Sequence, residues 1–244
     1  MKILVSQSRP EGLITPYDKL TELFGAEVDF QPFVRLEGLS ATEFRTQHIN
    51  PLDYTGVVLP SKTAADHYFR MMNELRLAVP ETMHYYCISE AVGYYLQKYV
   101  EYRKRRIFFA TGNNFMELVP TIMRRPKEKL LLVTSDQGND AIVESFAAHK
   151  VTVTPVVMFH SVPESWPKQK NIDSYDIITF FTPGAVAAFW QLFPDYEQGK
   201  TLFAAFGTKT QDALNDADYR NDIVAPMPGT PSLATAIEQY LSNR

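Results

Sequence analysis

Ile177-Ile178-Thr179-Phe180-Phe181-Thr182-Pro183-Gly184-Ala185-Val186-Ala187-Ala188-Phe189-Trp190 is the stretch whose reading decides the fold class. It opens as an unbroken apolar and β-branched run, the pattern of a strand buried on both faces. It passes through a hydroxyl, a proline and a glycine into residues of good helical propensity. Thr182 suits the cap of the new helix, and Pro183 its first turn, where a missing N–H costs nothing. Such a strand–turn–helix unit leaves bare N–H groups and a hydroxyl beyond the strand end, an arrangement suited to an anion.

Outward from this unit the same rhythm recurs. Strands are predicted over 3–7, 26–33, 56–59, 85–88, 106–109, 129–133, 202–206 and 223–225. Helices are predicted over 16–24, 42–48, 63–75, 90–98, 140–149 and 232–241, with others running to 123 and 215. Gly25 is a good stop for the first of them. Segment 34–38 reads as a connection out of the first sheet, 135–139 as a loop, and 151–160 as a strand broken at Pro155. Strands alternating with helices throughout mean an α/β chain with mainly parallel sheets.

The bulk numbers bound the function. With 244 residues, 45% hydrophobic and 21% charged, the chain supports one large or two ordinary packed domains. A net charge of −4 removes the electrostatic case for general nucleic-acid binding. The single cysteine, Cys87, sits in Tyr85-Tyr86-Cys87-Ile88, a strand interior, and reads as structural. No signal-peptide pattern and no apolar run of membrane-spanning length is present, so the expectation is a soluble, cytoplasmic protein with no membrane partner. The five histidines show no ligand spacing, and no metal or organic cofactor is expected.

The opening unit has an echo. Tyr54-Thr55-Gly56-Val57-Val58-Leu59-Pro60-Ser61-Lys62-Thr63-Ala64-Ala65 aligns with residues 175–186, setting Ser61 on Thr182. Cys87-Ile88-Ser89-Glu90-Ala91-Val92 then falls on Ala205-Phe206-Gly207-Thr208-Lys209-Thr210, and Phe109-Ala110-Thr111-Gly112 more loosely on 224–227. Two α/β halves carrying matched hydroxyl-rich turns would present them to a shared cleft, the default ligand site of open α/β sheets. Turns of this kind are rich in Ser, Thr and Gly in any α/β protein, so spacing alone leaves a capping role open.

Taken together, Phe180-Phe181-Thr182-Pro183-Gly184-Ala185-Val186, Ala205-Phe206-Gly207-Thr208-Lys209-Thr210 with Ala213-Leu214, and Pro226 with Thr230-Pro231-Ser232-Leu233 resemble the uroporphyrinogen-III synthase family. The likeness runs over nearly the whole chain and rests on the order and spacing of short motifs. It implies two flavodoxin-like or Rossmann-like α/β domains, one inserted in the other and joined by a two-stranded linker. Residues 1–35 with 162–244 would form the outer domain and 36–161 the inserted one, with linker strands near 32–38 and 157–162. The implied reaction is cyclisation of hydroxymethylbilane, a linear tetrapyrrole, with inversion of ring D and loss of water. No cofactor is implied, the partner is this small molecule, and a monomer is expected.

Under that resemblance the substrate's carboxylates would be held by helix N-terminal N–H groups and hydroxyls. The candidates are Ser6, Ser61, Lys62, Ser89, Thr111 and Gly112, and, around the opening unit, Thr182, Pro183, Gly184, Gly207, Thr208, Lys209 and Thr210. The catalytic acid is unknown, because Phe159 stands where many relatives have a tyrosine, and phenylalanine cannot donate. Val92 and Ser89 also replace a family threonine and glycine. Arg103-Lys104-Arg105-Arg106 reads as a solvated loop, and Tyr94, Tyr95, Tyr99 and Tyr102 as helix packing. The competing expectations are a catalytically silent binding protein of the same fold, sensing a tetrapyrrole or another polyanion, and an unrelated flavodoxin-like or periplasmic-type binding module.

Overall fold

In the computed structural model, residues 1–10, 12, 14–112, 114–136 and 140–243 are described. The loop expected over 135–139 lies outside them from residue 137 onward. In chain order come β1 (Lys2–Val5), α1 (Asp18–Phe24), β2 (Glu27–Phe30), β3 (Val34–Gly38), α2 (Ala41–Arg45), β4 (Gly56–Leu59) and α3 (Lys62–Glu74). Next are β5 (His84–Cys87), α4 (Glu90–Tyr95), β6 (Ile107–Phe109), α5 (Val119–Met123), β7 (Leu130–Ser135), α6 (Asp140–Ala148) and β8 (Val153–Pro163). The last are β9 (Ile177–Phe180), α7 (Pro183–Leu192), β10 (Leu202–Phe206), α8 (Thr208–Asp216), β11 (Ile223–Ala225) and α9 (Leu233–Ser242).

The chain divides into two compact units, Met1–Arg35 with Val162–Arg244, and Leu36–Ser161. The first carries a five-stranded sheet in the order β11-β10-β9-β1-β2, with every pairing parallel. Numbered within the unit, that order is 2-1-3-4-5 read from β2, the flavodoxin arrangement. The second carries six strands in the order β3-β8-β7-β4-β5-β6. Its five consecutive strands β6-β5-β4-β7-β8 match β11-β10-β9-β1-β2 place for place, with the chain entering at a different point. The repeat seen in sequence is therefore a repeat of topology, circularly permuted: β4 corresponds to β9, and β7 to β1.

Both central strands are buried along their whole length. Side chains alternate between two cores in each unit, as strand geometry requires. Val57 and Leu59 face Tyr68 and Met71, whereas Val58 faces Phe115 and Phe146. Ile177 packs with Leu20 and Ile237, and Ile178 with Phe33, Phe189 and Phe203. Gly25 ends α1 in the left-handed region at φ 62°, its N–H returning to Thr21 O at 3.0 Å.

Residues 34–38, the connection out of the first sheet, form a strand, as expected of a linker strand near 32–38, and it pairs with β8 at the edge of the second unit's sheet. One local expectation is corrected. Pro155 does not break its strand, because β8 runs through it, opposite Leu132 of β7. The reason is directional. Two residues on, Val157 sends its N–H away from β7, to Gln47 Oε1 at 2.9 Å, while Gln47 Nε2 donates to Val157 O at 2.7 Å. Pro155 shares that outward phase, so its missing N–H costs no bond with β7.

Candidate functional site

Each sheet presents a row of turns at the carboxyl ends of its strands, and ligands of open α/β sheets bind there, at the point where strand order reverses. In the first unit the reversal lies between β1 and β9, and in the second between β7 and β4. Thr182 and Ser61 therefore stand beside equivalent reversal points.

Their local geometry is the same. Thr182 is extended (φ −146°, ψ 152°), and its hydroxyl accepts the Ala185 N–H at 3.2 Å. Ser61 is extended (φ −161°, ψ 166°) and accepts the Ala64 N–H at 3.0 Å. Pro183 fills the first position of α7, so Gly184 is the first residue of that helix with an N–H to offer. Ser89 repeats the geometry at α4, taking the Val92 N–H at 3.4 Å. The echo departs at Gly207, which begins α8 with φ 80° and no capping side chain. The N–H groups of Thr208 and Lys209, both exposed, begin that helix without a hydroxyl before them, while Thr210 is buried at 2% exposure.

Ser6 follows β1 on the other side of the reversal point. Its N–H donates to Thr179 Oγ1 at 3.2 Å, but its own hydroxyl is buried and has no partner among the described residues. Buried hydroxyls are normally paired, so this one is an exception that asks for a reason. The permuted counterpart of Ser6 is the turn after β7, which sequence reading did not single out. There Asp136 accepts the Ser161 N–H on Oδ1 at 3.0 Å. Extending the echo from the first strand to β7 would have found it.

The turn after β6 is already occupied. Thr111 N–H and Oγ1 both donate to Glu117 Oε2 at 2.8 Å, and Gly112 N–H donates to Oε1 at 2.9 Å. The Thr111 N–H is the main cause that holds the Glu117 carboxyl below its usual range. Lys62 leans from the start of α3 over the Tyr95 ring, 5.4 Å from its centroid. Tyr95 and Tyr99 pack as expected, yet both hydroxyls reach Asp66, Tyr95 at 2.9 and 3.0 Å, with Lys98 Nζ joining at 3.1 Å. Burial works to raise the Asp66 pKa, but these donors, Tyr99 first, hold it low.

Phe159 is 7% exposed and belongs to the second unit's core. Cys87 is buried, and burial pushes its thiol up to about 12, which makes it inert. Arg103 pairs with Glu101 at 2.6 Å on the surface. Among the described residues no cluster of His, Cys, Asp or Glu suits a metal ion, and no helix is long and apolar enough to cross a membrane.

The chain is similar to known proteins over its full length. A uroporphyrinogen-III synthetase from Helicobacter pylori superposes with a TM-score of 0.57 at 14% identity, covering 100% of this chain and 99% of that one. A mutant uroporphyrinogen III synthase from Thermus thermophilus covers 100% and 99%, at 13% identity and a TM-score of 0.49. No curated protein matches the sequence. The family described as uroporphyrinogen-III synthase HemD matches residues 16–235. A match over that span, on a fold it shares with the Helicobacter protein, means that the chain belongs to the uroporphyrinogen-III synthase family.

Proposed function

We propose that this chain cyclises hydroxymethylbilane to uroporphyrinogen III, with inversion of ring D and loss of water. The observation that carries the reading is the family match across residues 16–235. The paired caps Ser61 and Thr182, set at equivalent points of two sheets, are consistent with it.

The chemistry asks for control of shape more than for a reactive group. Loss of the hydroxyl leaves an electrophilic azafulvene. Ring D is attacked at its substituted carbon, giving a spiro intermediate that fragments and recloses inverted. The unassisted substrate closes without inversion, so the protein must favour one conformer, and orientation of this kind is worth many orders of magnitude in rate. Helix N-termini and hydroxyls hold carboxylates without a net positive surface.

The residues assigned to that task are Ser61, Lys62 and Ser89 in one unit, and Ser6, Thr182, Gly184, Gly207, Thr208 and Lys209 in the other. Phe159 supplies no proton, and departure of the hydroxyl rests on another donor. Consistent with a monomer in the cytoplasm that does not bind nucleic acid are the acidic net charge and the inert, buried Cys87.

The test is a coupled assay that generates hydroxymethylbilane and separates the two uroporphyrinogen isomers. The inverted isomer should form faster than spontaneous closure, whereas only the non-inverted isomer at the spontaneous rate would refute the activity. Thr182→Ala and Ser61→Ala should each lower kcat/KM. Unchanged kinetics would reduce these hydroxyls to helix caps.

A further inference from the structure

A pocket of ≈ 340 Å³ opens in the second unit beside the capped turns, lined by Pro60, Ile88, Asn114, Phe115, Met116 and Ile142 among others. Pro60 and Ile88 are the residues that follow β4 and β5, directly before Ser61 and Ser89. Phe115 and Met116 come from a 3₁₀ turn after β6, and Ile142 from the first turn of α6. Phe115 is buried and forms the floor, its ring 5.8 Å from that of Phe146.

We propose that this pocket seats one pyrrole ring of the linear tetrapyrrole, with the acid arms of that ring left outside on the rim. The inference rests on the functional reading above and names a subsite for it. Three properties of the pocket select the occupant. Among the described residues no charged side chain lines it, so a carboxylate placed inside would lose hydration without recompense. An aromatic floor and a thioether wall suit the face of a flat π-system. Its volume is at the lower end of small-molecule pockets, about 300 to 1,000 Å³, which admits one substituted ring and not four. The Asn114 carboxamide oxygen takes the Met116 N–H at 3.0 Å and keeps a second lone pair, which a pyrrole N–H can use. Held this way, one ring is anchored while the rest of the chain bends towards closure.

The experiment uses the full chain with its methionine methyls labelled, followed by NMR. One probe is a monopyrrole bearing an acetate and a propionate arm, and the other is glutarate, a diacid without a ring. The Met116 methyl should shift saturably with the monopyrrole and stay still with glutarate. Ala141→Phe fills the pocket from its exposed lip, and Ala147→Phe adds the same bulk elsewhere on α6. In the coupled assay Ala141→Phe should raise KM about tenfold, the equivalent of one lost apolar contact of this size, while Ala147→Phe matches wild type. A Met116 methyl unmoved by the monopyrrole, or equal KM in the two variants, overturns the subsite. A wild-type chain that forms no inverted isomer would instead overturn the catalytic reading, and the Met116 titration would still decide the pocket.

Discussion

Phe159 lies face to face with His67, their ring centroids 4.8 Å apart and their planes 19° from parallel. The Phe159 ring is thus covered by a neighbour and only 7% exposed. A hydroxyl added to so buried a ring needs a partner, and one left unpaired costs about 1 kcal/mol or more. Phe159→Tyr is expected to lower stability in urea by roughly that amount and to leave turnover at the wild-type level. A clear gain in kcat would show that the new hydroxyl reaches the substrate.

His67 has a pH signature of its own. Burial lowers its pKa first, the Arg70 guanidinium lowers it further, and Asp66 opposes them. Arg70 Nε donates to His67 Nδ1 at 3.3 Å, which fits a neutral ring. The unfolded histidine titrates near about 6.5, so below that value the unfolded chain takes up a proton that the native one refuses. Stability is therefore complete above the unfolded value and falls as pH drops through it towards the folded one. Thermal melts between about pH 7.5 and about pH 5.5 should show this slope, and His67→Gln should flatten it. The low carboxyls of Asp18, Glu43 and Asp66 lose their contribution only at more acid pH.

Ser6 separates binding from stability. Its hydroxyl is buried without a partner among the described residues, and its backbone is tied to Thr179 through the N–H, which a substitution leaves in place. Ser6→Ala should keep or slightly raise the melting temperature, since it removes an unpaired polar atom. Under the proposed function the same change raises KM. A loss of stability with unchanged kinetics would make Ser6 a purely structural residue.

Much of the fold was legible because βα chemistry is local. Thr182, Ser61 and Ser89 announce their helices by cap type, and the residues before them announce strands buried on both faces. What escaped depends on distance along the chain. Nothing in the periodicity says that Glu117 reaches back to Thr111 and Gly112, because the contact closes an irregular turn. The turn at Asp136 escaped because the two units are permuted, so an alignment begun at Ile177 runs out before it reaches the counterpart of β1. Pro155 misled because a proline breaks a strand only where its N–H is needed.

The Glu117 contact makes the turn after β6 behave differently from the others. Its donors are engaged within the chain, so Thr111→Ala should lower the melting temperature slightly and leave KM unchanged. A Cβ on Gly112 would stand 2.7 Å from Glu117 Oε1, and Gly112→Ala should therefore expel the carboxylate. Because hydrogen bonds from this turn depress the Glu117 pKa, its stabilisation is present above the ordinary glutamate value and lost as pH falls through the folded one. Glu117→Gln should lack that acid-side loss in a pH series of melts. A rise in KM for Thr111→Ala would show that the substrate displaces Glu117.

At the opposite edge of the same sheet, ahead of the strands, Glu128 has 3% of its side chain exposed. It accepts from Tyr86 Oη at 2.9 Å and Thr55 Oγ1 at 3.0 Å, and meets His84 Nδ1 at 3.1 Å. Removing the carboxylate leaves the buried Tyr86 hydroxyl without its acceptor, while exposed Thr55 and part-exposed His84 turn to solvent, so Glu128→Ala should cost about 2 kcal/mol. Glu128→Gln retains an acceptor for Tyr86 and should cost about 1 kcal/mol. Neither change touches the turns at the carboxyl ends of the strands, so both variants, assayed well below their melting temperatures, should keep the wild-type KM. Ser6→Ala and Glu128→Ala are thus expected to give opposite patterns, one kinetic and one thermodynamic. A raised KM in Glu128→Ala would mean that the two ends of this sheet are coupled, and the rim could not then be treated as a rigid platform for the substrate.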